Sequence, residues 1–113
     1  MTTWKKLLEN ELQMAVDARA HGNEGRARVC ARRAAGVVVR EYFLRQGISS
    51  RTSSAFDLLR ALLDIPEIPG EARRAAEYLT RRVNEEFELP VNADLVEEAR
   101  TLCKSLLPGE FEE

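Results

Sequence analysis

Arginine is the residue type in this chain whose spacing best suits binding chemistry. Arg26, Arg33 and Arg40 recur every seven residues, which places them along one face of a helix. Guanidinium groups bind phosphates and carboxylates through paired hydrogen bonds. We therefore predict a ligand or partner site, with solvated faces and internal ion pairs as the alternative. The predicted site residues are Arg26, Arg33, Arg40, Arg81, Arg82 and Asn84.

Few other side chains offer catalytic or metal-binding chemistry. The chain has one histidine, His21, and its two cysteines, Cys30 and Cys103, do not form a Cys-x-x-Cys pair for zinc. Neither G-x-x-x-x-G-K-[ST] nor G-x-G-x-x-G is present, so the sequence predicts no phosphate-binding loop of these types. We expect no cofactor and no metal, a solvated His21, and two buried, reduced cysteines.

Five helices must position these residues. Apolar periodicity and capping residues predict helices over residues 3–20, 24–46, 55–64 and 71–87, and a fifth that follows an Asn92 cap and ends at Pro108. Asn23, Gly47 and Ser54 have the residue types of helix caps. No segment alternates at period two for long enough to predict a strand. The predicted fold class is all-α, an up-and-down four-helix bundle with an additional short helix.

The second predicted helix is apolar around most of its circumference, so it must lie at the centre of the bundle. Gly36, in its middle, costs about 1 kcal/mol relative to alanine, which predicts a close helix contact as compensation. On the first helix we expect one buried face that includes Trp4, Leu7, Leu8, Leu12 and Ala15. On the second helix we expect burial of Ala27, Cys30, Ala31, Ala34, Ala35, Val37, Val38, Val39, Tyr42, Phe43 and Leu44.

Charge is distributed unevenly, although the net charge is −2. Residues 1–53 contain ten Lys and Arg against five Asp and Glu, whereas residues 54–113 contain seven against fourteen. Such asymmetry is typical of a basic surface for nucleic acid or for an acidic partner. We favour the alternative, neutralisation between helices of the bundle or across a dimer, because the total charge is acidic and no stacking aromatics accompany the arginines.

The length of 113 residues fits a single domain over residues 1–113, with a tail that we expect to fray from about residue 108. No apolar run approaches the roughly 18 residues that a membrane span requires, and the N-terminus has no signal-peptide core. We predict a cytoplasmic protein without a membrane partner.

A family resemblance covers nearly the whole chain. A short turn precedes GNEGRARVCARRAAGVVVREYFLRQGI, and a polar loop and SAFDLL follow it. The G-x-x-x-x-A start at residues 22–27, the long helix to Gly47 and the helix start within residues 52–59 resemble the HEPN superfamily of small helical domains. The arginine-rich stretch at residues 81–87 is similar to the one that precedes the last helix of that family.

The resemblance implies a dimer, and many HEPN proteins are metal-independent ribonucleases with an Arg-x4–6-His motif. In that chemistry the histidine moves the 2′-hydroxyl proton and the arginine stabilises the phosphorane charge. Here Phe87 stands five positions after Arg82, and no Arg-x4–6-His occurs anywhere in the chain.

We therefore predict a non-catalytic interaction module. The resemblance implies that it forms a homodimer and associates with a minimal nucleotidyltransferase or binds nucleotide or RNA; no DNA partner is expected. Two alternatives remain open: a ribonuclease or nucleotide-handling enzyme with a non-standard residue set, and a purely structural adaptor.

Overall fold

The computed structural model describes residues 3–81 and 94–110, and these residues form five α-helices and no strand. The all-α prediction is confirmed for this part of the chain. Among the described residues, no helix combines the length and the apolar character needed to span a membrane. The helices are α1 (Trp4–Ala20), α2 (Glu24–Gln46), α3 (Ala55–Leu63), α4 (Gly70–Leu79) and α5 (Leu95–Leu106).

Local capping chemistry sets the helix ends that the sequence predicts correctly. Oδ1 of Asn23 accepts a hydrogen bond from the Arg26 amide at 3.1 Å, and Oγ of Ser54 accepts one from the Asp57 amide at 3.2 Å. α2 ends at Gly47, whose φ of 69° lies in the left-handed region that glycine adopts without steric cost. Each cap satisfies backbone groups that the helix itself leaves unpaired.

The core is built around α2, which packs against α1, α3 and α5 and also contacts α4. A helix with neighbours on several sides needs apolar residues around most of its circumference, as the sequence predicts. Both cysteines are buried and free, and burial raises the pKa of the Cys103 thiol to about 12. The buried residues of α2 are Ala27, Cys30, Ala31, Ala34, Ala35, Gly36, Val38, Val39 and Phe43.

Gly36 permits a close approach between α2 and the start of α3. A Cβ atom at this position would lie 2.7 Å from the Cβ of Ala55 and 2.9 Å from its Cα, well inside van der Waals contact. The prediction that Gly36 serves close packing is confirmed. The start of α3, and the loop that leads into it, therefore lie against the side of α2.

Two leucines that the sequence assigns to the core are exposed. Leu7 is 46% exposed and Leu44 is 69% exposed, so the prediction that both are buried is wrong. Leu8, the neighbour of Leu7, is 1% exposed and occupies the core position of that turn. The helices that cover α2 leave the side with Leu44 open, and both exposed leucines line the same groove.

α4 ends at Leu79, earlier than the predicted end at Phe87. The side chain of Arg32 on α2 donates from Nε to the Leu79 carbonyl at 2.7 Å and from Nη2 to the Arg81 carbonyl. Arg32 thereby supplies a hydrogen-bond donor to the Leu79 carbonyl, one of the groups that the end of a helix leaves without an intrahelical partner. A cation at a helix C-terminus also interacts favourably with the helix dipole.

α5 starts from a different cap than the sequence predicts. Oδ1 of Asp94 accepts hydrogen bonds from the amides of Val96 and Glu97 at 3.1 and 3.3 Å, so Asp94 is the N-cap in place of Asn92. Residues 82–93, which include the predicted remainder of the fourth helix, lie outside the described residues.

Arg19 links three helices at one end of the molecule. Its guanidinium donates to the Glu24 carboxylate at 2.8 and 2.9 Å and to both carboxylate oxygens of Asp94 at 3.0 and 3.1 Å. The hydrogen bonds from Arg19 lower the pKa of Glu24 below its ordinary value. For Asp94, burial acts to raise the pKa, but the hydrogen bonds from Arg19 and from the backbone outweigh it, and the pKa is lowered.

Arg19→Met is expected to reduce the free energy of unfolding by about 1 kcal/mol at neutral pH, a value typical of partly exposed ion pairs. Because the folded-state pKa values of Glu24 and Asp94 are lowered, their contribution is complete above the ordinary carboxyl pKa of about 4. It is lost as the pH falls through the folded-state values. Urea unfolding at about pH 7 and about pH 3 measures both effects, and the cost of Arg19→Met should shrink at the lower pH.

The matched control is Arg26→Met. Arg26 is exposed, and its side chain makes no bond to the residues that the structure describes. We expect no change in stability at either pH. A cost of Arg19→Met that is equal at both pH values would contradict the role of the ion pairs.

Candidate functional site

A groove of about 280 Å³ runs between α1, α2 and the start of α3. The first turns of α1 supply one wall, and about three turns of α2 supply the other. The close contact at Gly36 brings the start of α3 into the lining. The groove is lined by Trp4, Leu7, Glu11, Arg33, Gly36, Val37, Arg40, Glu41, Leu44, Ser53, Ala55 and Leu58.

The apolar part of the groove contains the two exposed leucines, Leu7 and Leu44. Half-buried Trp4 and Val37 also line it, together with buried Leu58. Clustered apolar side chains that remain in water mark an interaction surface, whereas single exposed ones are ordinary. Burying this surface against a partner would remove apolar area from water, which favours association.

Charges in the groove are balanced and mostly paired. Nη2 of Arg33 lies 2.9 Å from Oε1 of Glu11, whose second oxygen is buried without a hydrogen-bond partner among the described residues. Glu41 pairs with Arg45, one turn along α2, at 2.9 Å. Arg40 differs from them, because its exposed guanidinium makes no ion pair or hydrogen bond with any residue that the structure describes.

Trp4 is covered by a cluster of charged side chains. Nζ of Lys5 and Cζ of Arg45 lie 5.9 and 5.6 Å from its ring centroid, within cation–π range. Glu110 accepts hydrogen bonds from Lys5 at 2.9 Å and from Arg45 at 2.7 Å, and these bonds lower its pKa. The chain after α5, where the sequence predicts fraying from about residue 108, is thus held at Glu110 against α1 and α2.

A second pocket of about 330 Å³ adjoins the groove, between the C-terminal half of α2 and the loop of residues 48–54. We call it the loop pocket. It shares Arg40, Leu44, Ser53 and Leu58 with the groove, so the two form one continuous depression. Its remaining lining residues are Phe43, Ile48, Ser50, Arg51 and Thr52.

Of the predicted arginines on α2, the structure brings two together. Arg33 and Arg40 line the groove, about 10 Å apart along the helix. Arg26 lies about 21 Å from Arg40 along the same face and lines a separate depression with His21. A shared helix face therefore does not make a shared site when its members are several turns apart.

The other predicted site residues lie near or beyond the end of α4. Arg81 is exposed, follows the C-cap Thr80, and lines neither the groove nor the loop pocket. Arg82 and Asn84 lie outside the described residues.

His21 is exposed in the turn after α1, with Nδ1 2.8 Å from the Asp17 carbonyl oxygen, as expected for a solvated turn residue. Among the described residues, no group of three or more His, Cys, Asp and Glu is arranged to hold a metal ion.

Sequence reasoning missed Leu44 and Arg51 as surface-site residues. A signal for Leu44 was present, because it lies about 120° around the helix from Val38, one of the residues expected to be buried. Arg51 lies in a loop, residues 48–54, that contains no acidic residue. Neither signal identifies a pocket, because the pocket exists only where the loop folds against α2.

No protein-family model, curated protein or solved structure matches this chain significantly. The likeness to HEPN proteins therefore rests on the sequence motifs alone. The groove and the loop pocket carry the functional inference.

Proposed function

We propose that this chain is a non-catalytic helical interaction module that forms a homodimer through the groove. The observation that carries the proposal is the open apolar groove. It contains two exposed leucines, and its lining has equal numbers of positive and negative side chains. The proposal extends to the fold: α1, α2, α4 and α5 form an up-and-down four-helix bundle, and α3 is the additional short helix, as in HEPN domains. The packing of α2 against α1 and α5, and of α4 against α5, supports this arrangement.

A second copy of the chain suits the groove because the apolar lining can be buried against itself about a twofold axis. Two arginines and two glutamates line the groove, and both glutamates are already paired within one copy, so the second copy meets little uncompensated charge. The exposed leucines of the two copies can then be buried against each other, which removes apolar surface from water. Association with a minimal nucleotidyltransferase, or binding of nucleotide or RNA, is what the HEPN resemblance adds to this proposal.

The proposal is non-catalytic because the chain lacks the histidine that the family's ribonuclease chemistry requires. His21 lies in the α1–α2 turn and lines neither the groove nor the loop pocket. An RNA-cleavage assay with the purified protein tests the catalytic alternative. Cleavage that disappears in Arg82→Ala would establish that alternative.

Leu7→Glu is expected to convert the dimer into a monomer. A glutamate at this position would be taken out of water in the interface without a partner, which should weaken association at least roughly hundredfold. Size-exclusion chromatography with light scattering at micromolar concentration measures the change. Leu7 is suitable because it lines the groove but not the loop pocket.

The matched control is Val29→Glu. Val29 lies on α2, is 48% exposed and lines neither depression, so the dimer should persist in this variant. A wild-type protein that is monomeric at micromolar concentration would refute the dimer. A dimer broken by Val29→Glu and not by Leu7→Glu would place the interface elsewhere.

A further inference from the structure

The loop pocket has an unbalanced positive charge, unlike the groove that it adjoins. Arg40 and Arg51 line it, and no aspartate or glutamate does so among the described residues. Neither guanidinium makes an ion pair with the residues that the structure describes, whereas Arg33 and Arg45 each pair with a glutamate. Two neighbouring cations without counter-charges favour an anionic occupant.

The loop that carries Arg51 is held in place by its own hydrogen bonds. Oγ1 of Thr52 accepts from the Ser54 amide at 3.0 Å and donates to Asp57 at 3.3 Å. Asp57, which accepts this bond, does not line the pocket. These bonds fix Thr52, the neighbour of Arg51, and a contact fixed before binding reduces the entropy lost on binding.

Hydroxyl donors lie beside the two arginines. Ser50 and Ser53 line the loop pocket, and their hydroxyls make no hydrogen bond with the described residues. Guanidinium and hydroxyl donors together can satisfy both oxygens of a carboxylate.

The remaining lining is apolar, which restricts the occupant further. Phe43, Leu44, Ile48 and Leu58 contribute to it, and Leu44 is the most exposed large apolar side chain among the described residues. A small hydrophilic anion would leave this surface in water. Because the pocket continues into the groove, a chain segment fits the combined shape better than a compact molecule does.

We infer that the loop pocket docks an acidic, apolar segment of a partner protein. A carboxylate of the segment binds Arg40 and Arg51, and a neighbouring apolar side chain packs against Leu44 and Ile48. The inference rests on the proposed role as an interaction module. It concerns the monomer, because the segment and a second copy of the chain would compete for Arg40 and Leu44, which line both depressions.

Selection from a random heptapeptide display library against the full-length protein tests the inference. The selected peptides should combine Asp or Glu with Leu, Ile or Phe, and their binding should weaken as salt is raised. The strongest peptide should bind Arg51→Gln and Arg40→Gln at least roughly tenfold more weakly, because charge-assisted hydrogen bonds are lost. Both arginines are exposed, so these variants should fold, and thermal unfolding checks this.

Arg26→Gln is the matched control, since Arg26 is an exposed arginine on the same face of α2 and lies outside the loop pocket. It should bind the peptide as the wild type does. The Leu7→Glu variant should bind the peptide at least as tightly as the wild type, because a dimer through the groove would cover Arg40 and Leu44, which the loop pocket shares with it. Loss of the dimer with retention of the peptide therefore separates failure of one proposal from failure of the other.

Three results would overturn the inference. The first is the absence of any enriched peptide, or enrichment of basic or uncharged peptides. The second is unchanged affinity in both Arg51→Gln and Arg40→Gln. The third is a competition result in which inorganic phosphate or adenosine monophosphate displaces the bound peptide at a lower concentration than free peptide does. That result would identify a phosphate-binding pocket instead.

Discussion

Gly36→Ala should destabilise the protein by roughly 1–3 kcal/mol, although alanine is the better helix former. The added Cβ would lie 2.7 Å from the Cβ of Ala55 and 2.9 Å from its Cα. Neither atom belongs to a flexible side chain, so relief requires the start of α3 to move away from α2. That movement would also widen the groove, which both Gly36 and Ala55 line. Urea unfolding measures the change in the free energy of unfolding.

Gly25→Ala is the control for this effect, because Gly25 lies on the same helix. The space around Gly25 is open: the nearest atom to an added Cβ is Oδ1 of Asn23 at 3.9 Å, an ordinary contact. Only helix propensity then changes, and we expect the free energy of unfolding to rise by up to about 1 kcal/mol. A gain at Gly36 similar to that at Gly25 would contradict the close contact.

Leu8→Ala should cost about 2–5 kcal/mol of unfolding free energy, the range for leucines removed from a packed core. Leu8 is 1% exposed, and its truncation leaves a cavity that the surrounding helices fill only in part. A loss of this size is a large part of the stability of a small domain. Urea unfolding at dilute protein concentration measures the monomer without a contribution from association.

Leu7→Ala is the control, since it makes the same substitution one position away on the same helix. Leu7 is 46% exposed, so we expect a cost below about 1 kcal/mol. The difference in unfolding free energy between the two substitutions should therefore distinguish a core position from an exposed position that is open to a partner. Equal costs at dilute concentration would mean that Leu7 is also part of the core.

Cap residues show how much of the fold the sequence determines. Asn23 and Ser54 bond to amides three residues away, and Gly47 adopts its left-handed conformation as the residue that follows α2. These interactions are local, so residue type and spacing are enough to predict them. The same applies to the apolar character of α2, which predicts a helix surrounded by neighbours.

The end of α4 shows where local rules fail. Its last carbonyl, that of Leu79, accepts a hydrogen bond from Arg32, which lies 47 residues earlier in the chain. A pattern of apolar residues cannot reveal this bond, because it depends on how α2 and α4 are placed. Local propensity predicts an end at Phe87, whereas α4 ends at Leu79, where this tertiary contact lies.

The site was decided almost wholly by tertiary structure. The sequence by itself determined that the chain is helical, where most of its helices begin and end, and that an arginine-rich helix forms its centre. It did not determine that Leu7 and Leu44 remain in water. Nor did it determine that Arg51 and Arg40 line the same pocket, whereas Arg26 lies elsewhere. Periodicity specifies which side chains share a face of one helix, whereas exposure and proximity depend on which neighbours cover that face.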